Sequence, residues 1–303
     1  MAAAQAPRKL LVLDLNGTLL LRAQRRSASS TPNFGPRLRT VHPRPYMDAF
    51  KEYIFHPSTT KWLDAMVWSS AQPHSVADML NHCFGQQQRE FLAIWARDTL
   101  GLPSELYNKK TPTTKDLAKI WAAFPEHSQQ TTLLLDDSAR KAHLHPYNHI
   151  CVLEYVLDVR KHDLDVWRSS LPADTVPAKP KKQKAPKSKQ VPQAPDLASA
   201  VDTPGECASA LACVFHNHNV AEWIKDGGLL AKEVKEAVAE QPRPLSPDSL
   251  AHQMVGLNLA QELWFNSEAT VNHWVRRGMH ALEALQIPVV AGIRGGELPP
   301  ART

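Results

Sequence analysis

Apolar and polar positions along the chain alternate between short buried-type runs and amphipathic stretches. Lys9–Asp14 (KLLVLD) is an apolar run ending in a carboxylate, and Ala65–Trp68 (AMVW) runs into Ser69-Ser70. Thr131–Leu135 (TTLLL) runs into Asp136-Asp137, and Ile150–Leu153 forms a further short run. Phe91–Ala96 is a weaker candidate of the same kind. Runs of four to six apolar residues bounded by polar ones predict buried strands. Between them, Pro45–Phe55, His74–Cys83 and Lys115–Phe124 carry apolar residues at helical spacing. Strands alternating with amphipathic helices predict an α/β domain with a parallel sheet flanked by helices. In such a sheet ligands bind at the carboxyl edge, and the polar residues at these strand ends would share one site.

The pattern changes beyond residue 170. Residues 171–195 (LPADTVPAKPKKQKAPKSKQVPQAP) combine proline and lysine without apolar periodicity, which predicts a solvated linker. The chain divides into a domain over 8–170, the linker 171–195, and an all-helical extension over 196–303 that packs on the domain. Within the extension, Gly205–His216, a turn at Asn219–Lys225 and Pro247–Leu285 read as helical. Leu257, Leu259, Leu263, Trp264, Val271, Trp274 and Val275 form the stripe of the last element.

Charge and composition exclude several classes. The 303 residues carry a formal charge of +5, but Lys179, Lys181, Lys182, Lys184, Lys187 and Lys189 lie together in the linker and account for the whole surplus. That tract holds no aromatic residue for base stacking, so direct nucleic-acid binding is not expected; it suits a solubilising segment or a nuclear address. The longest apolar runs, Ala208–Phe215 and Ile287–Ile293, fall far below the roughly 18 residues a membrane span requires. Only Met1–Arg8 precede the first strand, which leaves no length for a cleaved targeting helix. Four cysteines without a C-x-x-C pair fit reduced thiols. The expected location is the cytoplasm or nucleus. His143, His145 and His149 suit a structured loop better than a metal site, and the tryptophans suit core packing.

Four motifs occur in order: Asp14-Leu15-Asn16-Gly17-Thr18 after the first strand, Ser69 after AMVW, Lys115 before a helix, and Asp136-Asp137 after TTLLL. The set resembles the haloacid dehalogenase superfamily. More narrowly, VLDLNGTLL, HPRPYMDAF, VWSSAQPHSV, TKDLAKIW and LLLDDS resemble its NLI-interacting-factor branch, which includes the TFIIF-associated phosphatases of the RNA polymerase II C-terminal domain. The resemblance covers about residues 9–155. It implies a Rossmann-like sheet without a large cap and a Mg²⁺-dependent phosphoserine/phosphothreonine phosphatase working through an aspartyl-phosphate. Phosphoryl transfer needs an in-line nucleophile, a divalent ion and further positive charge. By resemblance Asp14 is the nucleophile, and Asp14, the backbone carbonyl of Asn16 and Asp137 hold Mg²⁺. Thr18, Ser69 and Lys115 bind the phosphoryl group, and Asp136 supports the metal.

Asn16 departs from the pattern. The family has an aspartate there that protonates the leaving oxygen and later activates water, and an amide has no titratable proton. Losing a positioned acid/base costs roughly 10²–10⁴-fold, about 3–5 kcal/mol of barrier. The expectation is slow turnover, or a peptide-binding adaptor without turnover. The branch offers a precedent for the adaptor in the receptor subunit of the mitochondrial inner-membrane presequence translocase, a reading that would place the chain at that membrane and in that complex. Leu21–Thr40 is polar and arginine-bearing, with Arg22, Arg25, Arg26, Arg37 and Arg39, and is too small for a lid. An open cleft beside arginines favours a phosphorylated protein segment as substrate or ligand.

Overall fold

A computed structural model describes residues 7–23, 39–170, 219–230, 267–290 and 292. The linker 171–195 and the expected helix Gly205–His216 lie outside these residues, as does the expected helix of Pro247–Leu285 before residue 267.

Five parallel strands form the central sheet. They are β1 (Lys9–Leu13), β4 (Leu63–Trp68), β5 (Ile94–Trp95), β6 (Thr132–Asp136) and β7 (His149–Cys151), in the order β5-β4-β1-β6-β7. β1 lies in the middle and is buried along its whole length. Its period-two alternation sends side chains to two separate cores. Leu11 and Leu13 pack with Phe50, Tyr53, Met79 and Leu135 on one face; Leu10 and Val12 pack with Met66, Trp68, Ile120 and Leu134 on the other. Fully burying one such leucine is worth about 1.5–3 kcal/mol, so the strand's continuous apolar run is what holds it in the centre.

Helices α1 (Met47–Phe55) and α2 (Pro73–Cys83) turn Met47, Phe50, Tyr53, Ile54, Val76 and Met79 into the first core. Pro73 opens α2 at its first turn, where a missing N–H costs nothing. Two short helices follow, α3 (Ser104–Tyr107) and α4 (Ala118–Ala123), the latter burying Ile120 on the second face. The sheet is thus covered on both sides, as the alternation of elements predicted.

Several elements differ from the sequence reading. The stretch 91–96 pairs only through Ile94 and Trp95, because Leu92 and Ile94 are exposed and leave little apolar surface to bury at this edge. The ends of the polar segment Leu21–Thr40 are ordered: β2 (Leu20–Ala23) pairs antiparallel with β3 (Thr40–Pro43). Helix α5 (Leu157–Ser170) follows the sheet, a polar helix that the apolar pattern did not single out.

The described parts of the extension are helical. α6 (Val220–Lys225) is capped by Asn219, and α7 (Glu268–Ala284) is capped by Ser267. Each capping side chain accepts a backbone N–H of the first turn. Both helices join the first core through Val220, Trp274 and Leu282, and Val220 N–H donates to the Gln130 carbonyl. Trp274 satisfies its indole N–H on the Leu229 carbonyl at 2.7 Å, which permits its nearly complete burial. Among the described residues, no helix is long and apolar enough to cross a membrane.

Candidate active site at the carboxyl edge of the sheet

The register aligns Leu13 with Val67 on one side and with Leu135 on the other. The residues that follow these three positions therefore leave the sheet at the same edge. Asp14 sits beside the last pair, its N–H on the Leu135 carbonyl at 3.0 Å, and Ser69 N–H bonds the Trp95 carbonyl at 3.0 Å. Asp136 ends β6, and Asp137 follows it. Strand register alone thus gathers the sequence-predicted Asp14, Ser69, Asp136 and Asp137.

The carboxylates of Asp14, Asp136 and Asp137 offer oxygens within 4.8 Å of one another. Lys115 is fully buried and lies 2.5 Å from Asp136 Oδ2 and 3.1 Å from Asp14 Oδ1. The Asp14 contact is an ion pair without hydrogen-bond alignment: Asp14 Oδ1 is buried and accepts no hydrogen bond. A second ammonium, which the sequence reading passed over, completes the cluster. Lys141 Nζ stands 3.1 Å from Asp14 Oδ2, 3.0 Å from Asp136 Oδ1 and 3.3 Å from Asp137 Oδ1. The available signal was its spacing, a lysine four residues after Asp137 in a short turn that brings it back over the strand end.

These charges set the protonation states. Burial pushes Asp136 upward, but Lys115 and Lys141 outweigh it and hold the carboxylate well below its ordinary range. Asp137 is pushed up to about 6, chiefly by burial and by the neighbouring Asp136 and Asp14 charges, with Lys141 opposing. Burial disfavours the charged Lys141, yet the three carboxylates raise its pKa far above the usual lysine value. Three carboxylates thus face two ammoniums, and Asp137 is the one whose ionisation the other two oppose.

The loop of residues 14–18 is held by specific devices. Gly17 adopts φ +92°, and a Cβ there would lie 2.6 Å from Asp137 Oδ2, so only glycine fits. Arg44 bonds the carbonyls of Thr18, Gly17 and Leu153 and lies over the Tyr155 ring. Thr18 is buried; its hydroxyl donates to Asp137 Oδ1 at 3.2 Å and accepts the Asp137 N–H at 3.0 Å. In this arrangement Thr18 braces Asp137 from the loop side. Asn16 is exposed, and its Oδ1 accepts the Arg22 N–H at 2.8 Å.

A cavity of about 390 Å³ opens over the cluster, lined by Asp14, Asn16, Ser69, Ser70, Lys110 and Lys141 among others. Thr18 and Lys115 stand behind this wall. Through Arg22, Arg39 and Ser70 the cavity continues into a second one of about 480 Å³. Arg97 shapes the second cavity by donating to the carbonyls of Tyr107, Ser70, Leu106 and Lys109, which fixes the loop carrying Lys109 and Lys110. The histidines of 143–149 diverge: His143 faces the Arg140 carbonyl, His145 pairs with Asp116, and His149 lies under the sheet edge against the Asp136 carbonyl.

The residues fit a divalent cation. The donors are carboxylate oxygens suited to a hard ion, one buried Asp14 oxygen lacks a hydrogen bond, and the elevated Asp137 marks surplus negative charge.

Comparison with known proteins bears on the same region. The family described as NLI interacting factor-like phosphatase matches residues 9–171. An uncharacterized FCP1 homology domain-containing protein of Schizosaccharomyces pombe is 36% identical over 158 residues, 49% of this chain and 62% of that protein. The chain thus matches less than two thirds of the length of this curated relative. Two solved structures resemble the chain loosely. "The Structure of Fcp1, an essential RNA polymerase II CTD phosphatase" has a TM-score of 0.39 at 14% identity, over 74% of this chain and 72% of that one. A fission yeast Fcp1 variant bound to beryllium fluoride has a TM-score of 0.36 at 13% identity, over 93% and 70%.

Proposed function

Because the chain belongs to the NLI interacting factor-like phosphatase family, we propose that it is a Mg²⁺-dependent phosphoserine/phosphothreonine protein phosphatase, slowed by Asn16. The observation that carries this reading is the convergence of Asp14, Asp136 and Asp137 at one strand edge beneath an open, arginine-bordered cavity.

Asp14, the backbone carbonyl of Asn16 and Asp137 would hold the metal, with Asp136 supporting. When bound, Mg²⁺ neutralises phosphate oxygens and offsets the cost of bringing a phosphate dianion to three carboxylates. Asp14 attacks phosphorus in line, the serine or threonine oxygen departs, and the resulting aspartyl-phosphate is opened by water. Ser69 lines the cavity and orients the phosphoryl group. Thr18 serves the same end by fixing Asp137, and Lys115 by holding Asp14 and Asp136 in place. The departing alkoxide takes its proton from water, since Asn16 offers none, and this step is the slow one.

Arg22, Arg39, Lys109 and Lys110 along the groove supply charge for a phosphorylated protein segment. Membership of a phosphatase family and an open, basic groove together support a phosphorylated protein segment as the substrate, met in the cytoplasm or nucleus.

Asn16 provides a clean test, because among the described residues its side chain accepts the Arg22 backbone N–H, a role an aspartate oxygen also fills. With an aryl phosphate and a phosphoserine peptide in Mg²⁺, Asn16→Asp is expected to raise turnover by about 10²–10⁴-fold and Asp14→Asn to abolish it. Peptide mapping of the wild-type sample must find only the amide at position 16, since an Asn-Gly dipeptide deamidates. If wild type and Asn16→Asp are both inert while a phosphopeptide still binds, the site is an adaptor and the phosphatase reading fails.

A further inference from the structure

Two lysines share three carboxylates, but they are not equivalent. Lys115 is fully buried, its backbone N–H is fixed on the Lys141 carbonyl, and it is not among the residues lining the cavity over Asp14. The Lys141 side chain is 19% exposed, sits on a short 3₁₀ turn and lines the cavity above Asp14. Its nitrogen touches one oxygen from each of Asp14, Asp136 and Asp137, the same three groups that could share one metal ion. A lysine head at these distances and a divalent ion on the same oxygens occupy the same volume.

We propose that Lys141 is an internal cation that occupies the metal position in the metal-free protein, and that it and the divalent ion displace one another from Asp14, Asp136 and Asp137. The inference rests on the reading of this cluster as a metal site. Charge favours the exchange. With all three carboxylates ionised, the cluster and its two lysines carry one net negative charge. Replacing one ammonium by a divalent ion leaves the cluster neutral. The flexible stem and partial exposure give Lys141 room to withdraw into the cavity, whereas Lys115 has none.

Two consequences follow. While Lys141 is docked, one oxygen of Asp14 is held by its ammonium, so the metal-free protein keeps its nucleophile masked. Once released, the ammonium stands in the cavity beside Ser69, where it can meet a phosphoryl group. By linkage, whatever factor Lys141 costs the metal in affinity the metal costs Lys141 in docking.

The test uses the full chain and MgCl₂ alone, without substrate. Isothermal titration is expected to show Mg²⁺ binding at least ten-fold tighter to Lys141→Met than to wild type. In wild type, reductive methylation of amines followed by mass spectrometry is expected to label Lys141 several-fold faster at saturating Mg²⁺, with Lys115 unlabelled throughout. The labelling arm needs no variant and stands even if Lys141→Met does not fold. Equal or weaker binding by the Met variant overturns the competition and leaves the metal site intact, as does Lys141 labelling that Mg²⁺ does not accelerate. If neither protein binds Mg²⁺, the metal reading falls and the competition with it. Asp137→Asn introduced beside Lys141→Met should remove the tightened binding and ties the signal to this cluster.

Discussion

At the amino end of the sheet Arg8 spans the carbonyls of Thr60, Lys61 and Leu63 and closes on Asp64, with His127 Nε2 at 3.4 Å from the same carboxylate. At the carboxyl end Asp14, Asp136 and Asp137 share Lys115 and Lys141. The two clusters use the same kinds of side chain to different effect. Arg8 and Asp64 are 42% and 20% exposed, one cation to one anion, so water and a fork-shaped donor satisfy both. Lys115, Asp14 and Asp136 are 0–3% exposed, one cation to two anions, so each group depends on the others. The balanced pole ties strand starts together. The unbalanced one stores a charge deficit that a cation can relieve, which is what a metal-dependent phosphoryl site requires.

Protonation follows the same division. Burial raises Asp64, but Arg8 and then His127 hold it down at about 2. Its contribution is present above its unfolded value near 3.8 and is lost as pH falls toward 2. Asp137, pushed up to about 6, works in the opposite sense: its contribution is present below 3.8 and lost as pH rises through 6 in the metal-free protein.

The largest expected contrast comes from Lys115→Met. It removes the ammonium between Asp14 and Asp136 without opening a large void, and stranding buried carboxylates costs about 3–5 kcal/mol. Urea unfolding should show the midpoint fall with an unchanged slope; a loss under about 1 kcal/mol would mean that the carboxyl end is no more interdependent than the amino end. Gly17→Ala is expected to cost about 1–3 kcal/mol, from a left-handed backbone forced on a side chain and from displacement of Asp137. Thermal melts with and without MgCl₂ test this, since under the proposed metal reading the variant should also lose most of any stabilisation by Mg²⁺. A variant as stable and as responsive as wild type would show that Asp137 yields without consequence. The smallest effect belongs to Asp64→Asn, about 0.2–1 kcal/mol at neutral pH. Its more telling signature is an acid limb between pH 4 and 2 that is shallower than in wild type. An unchanged limb would assign acid sensitivity to the other end.

Much of this site was legible in the chain. An apolar run that stops at a polar residue marks both the strand and the residue leaving its end, so Asp14, Ser69, Asp136 and Asp137 were legible as strand-end residues from the sequence. Lys141 was not, because Lys115 already filled the expected role, and nothing in the local pattern says which ammonium reaches the carboxylates. The β2–β3 pairing was missed for a related reason. Leu20 meets Pro43 and Ala23 meets Thr40 across an intervening polar stretch, so neither half shows a strand pattern by itself. Helix α5 carries too few apolar residues for periodicity to reveal it, since it contributes little to either core.

The sequence by itself determined the α/β alternation, the two-sided burial of β1 and the chemistry at the strand ends, because each depends on residues within a few positions of one another. It also determined the amide at position 16, a side chain without a titratable proton. The tertiary structure alone decided the strand order, and only that order sets Asp14 between Ser69 and Asp136. It alone decided that Thr18 spends its hydroxyl on Asp137 and that Lys141, 127 residues beyond Asp14, closes on it at 3.1 Å. Charges act through space, and which charges become neighbours is settled by the packing of the whole sheet.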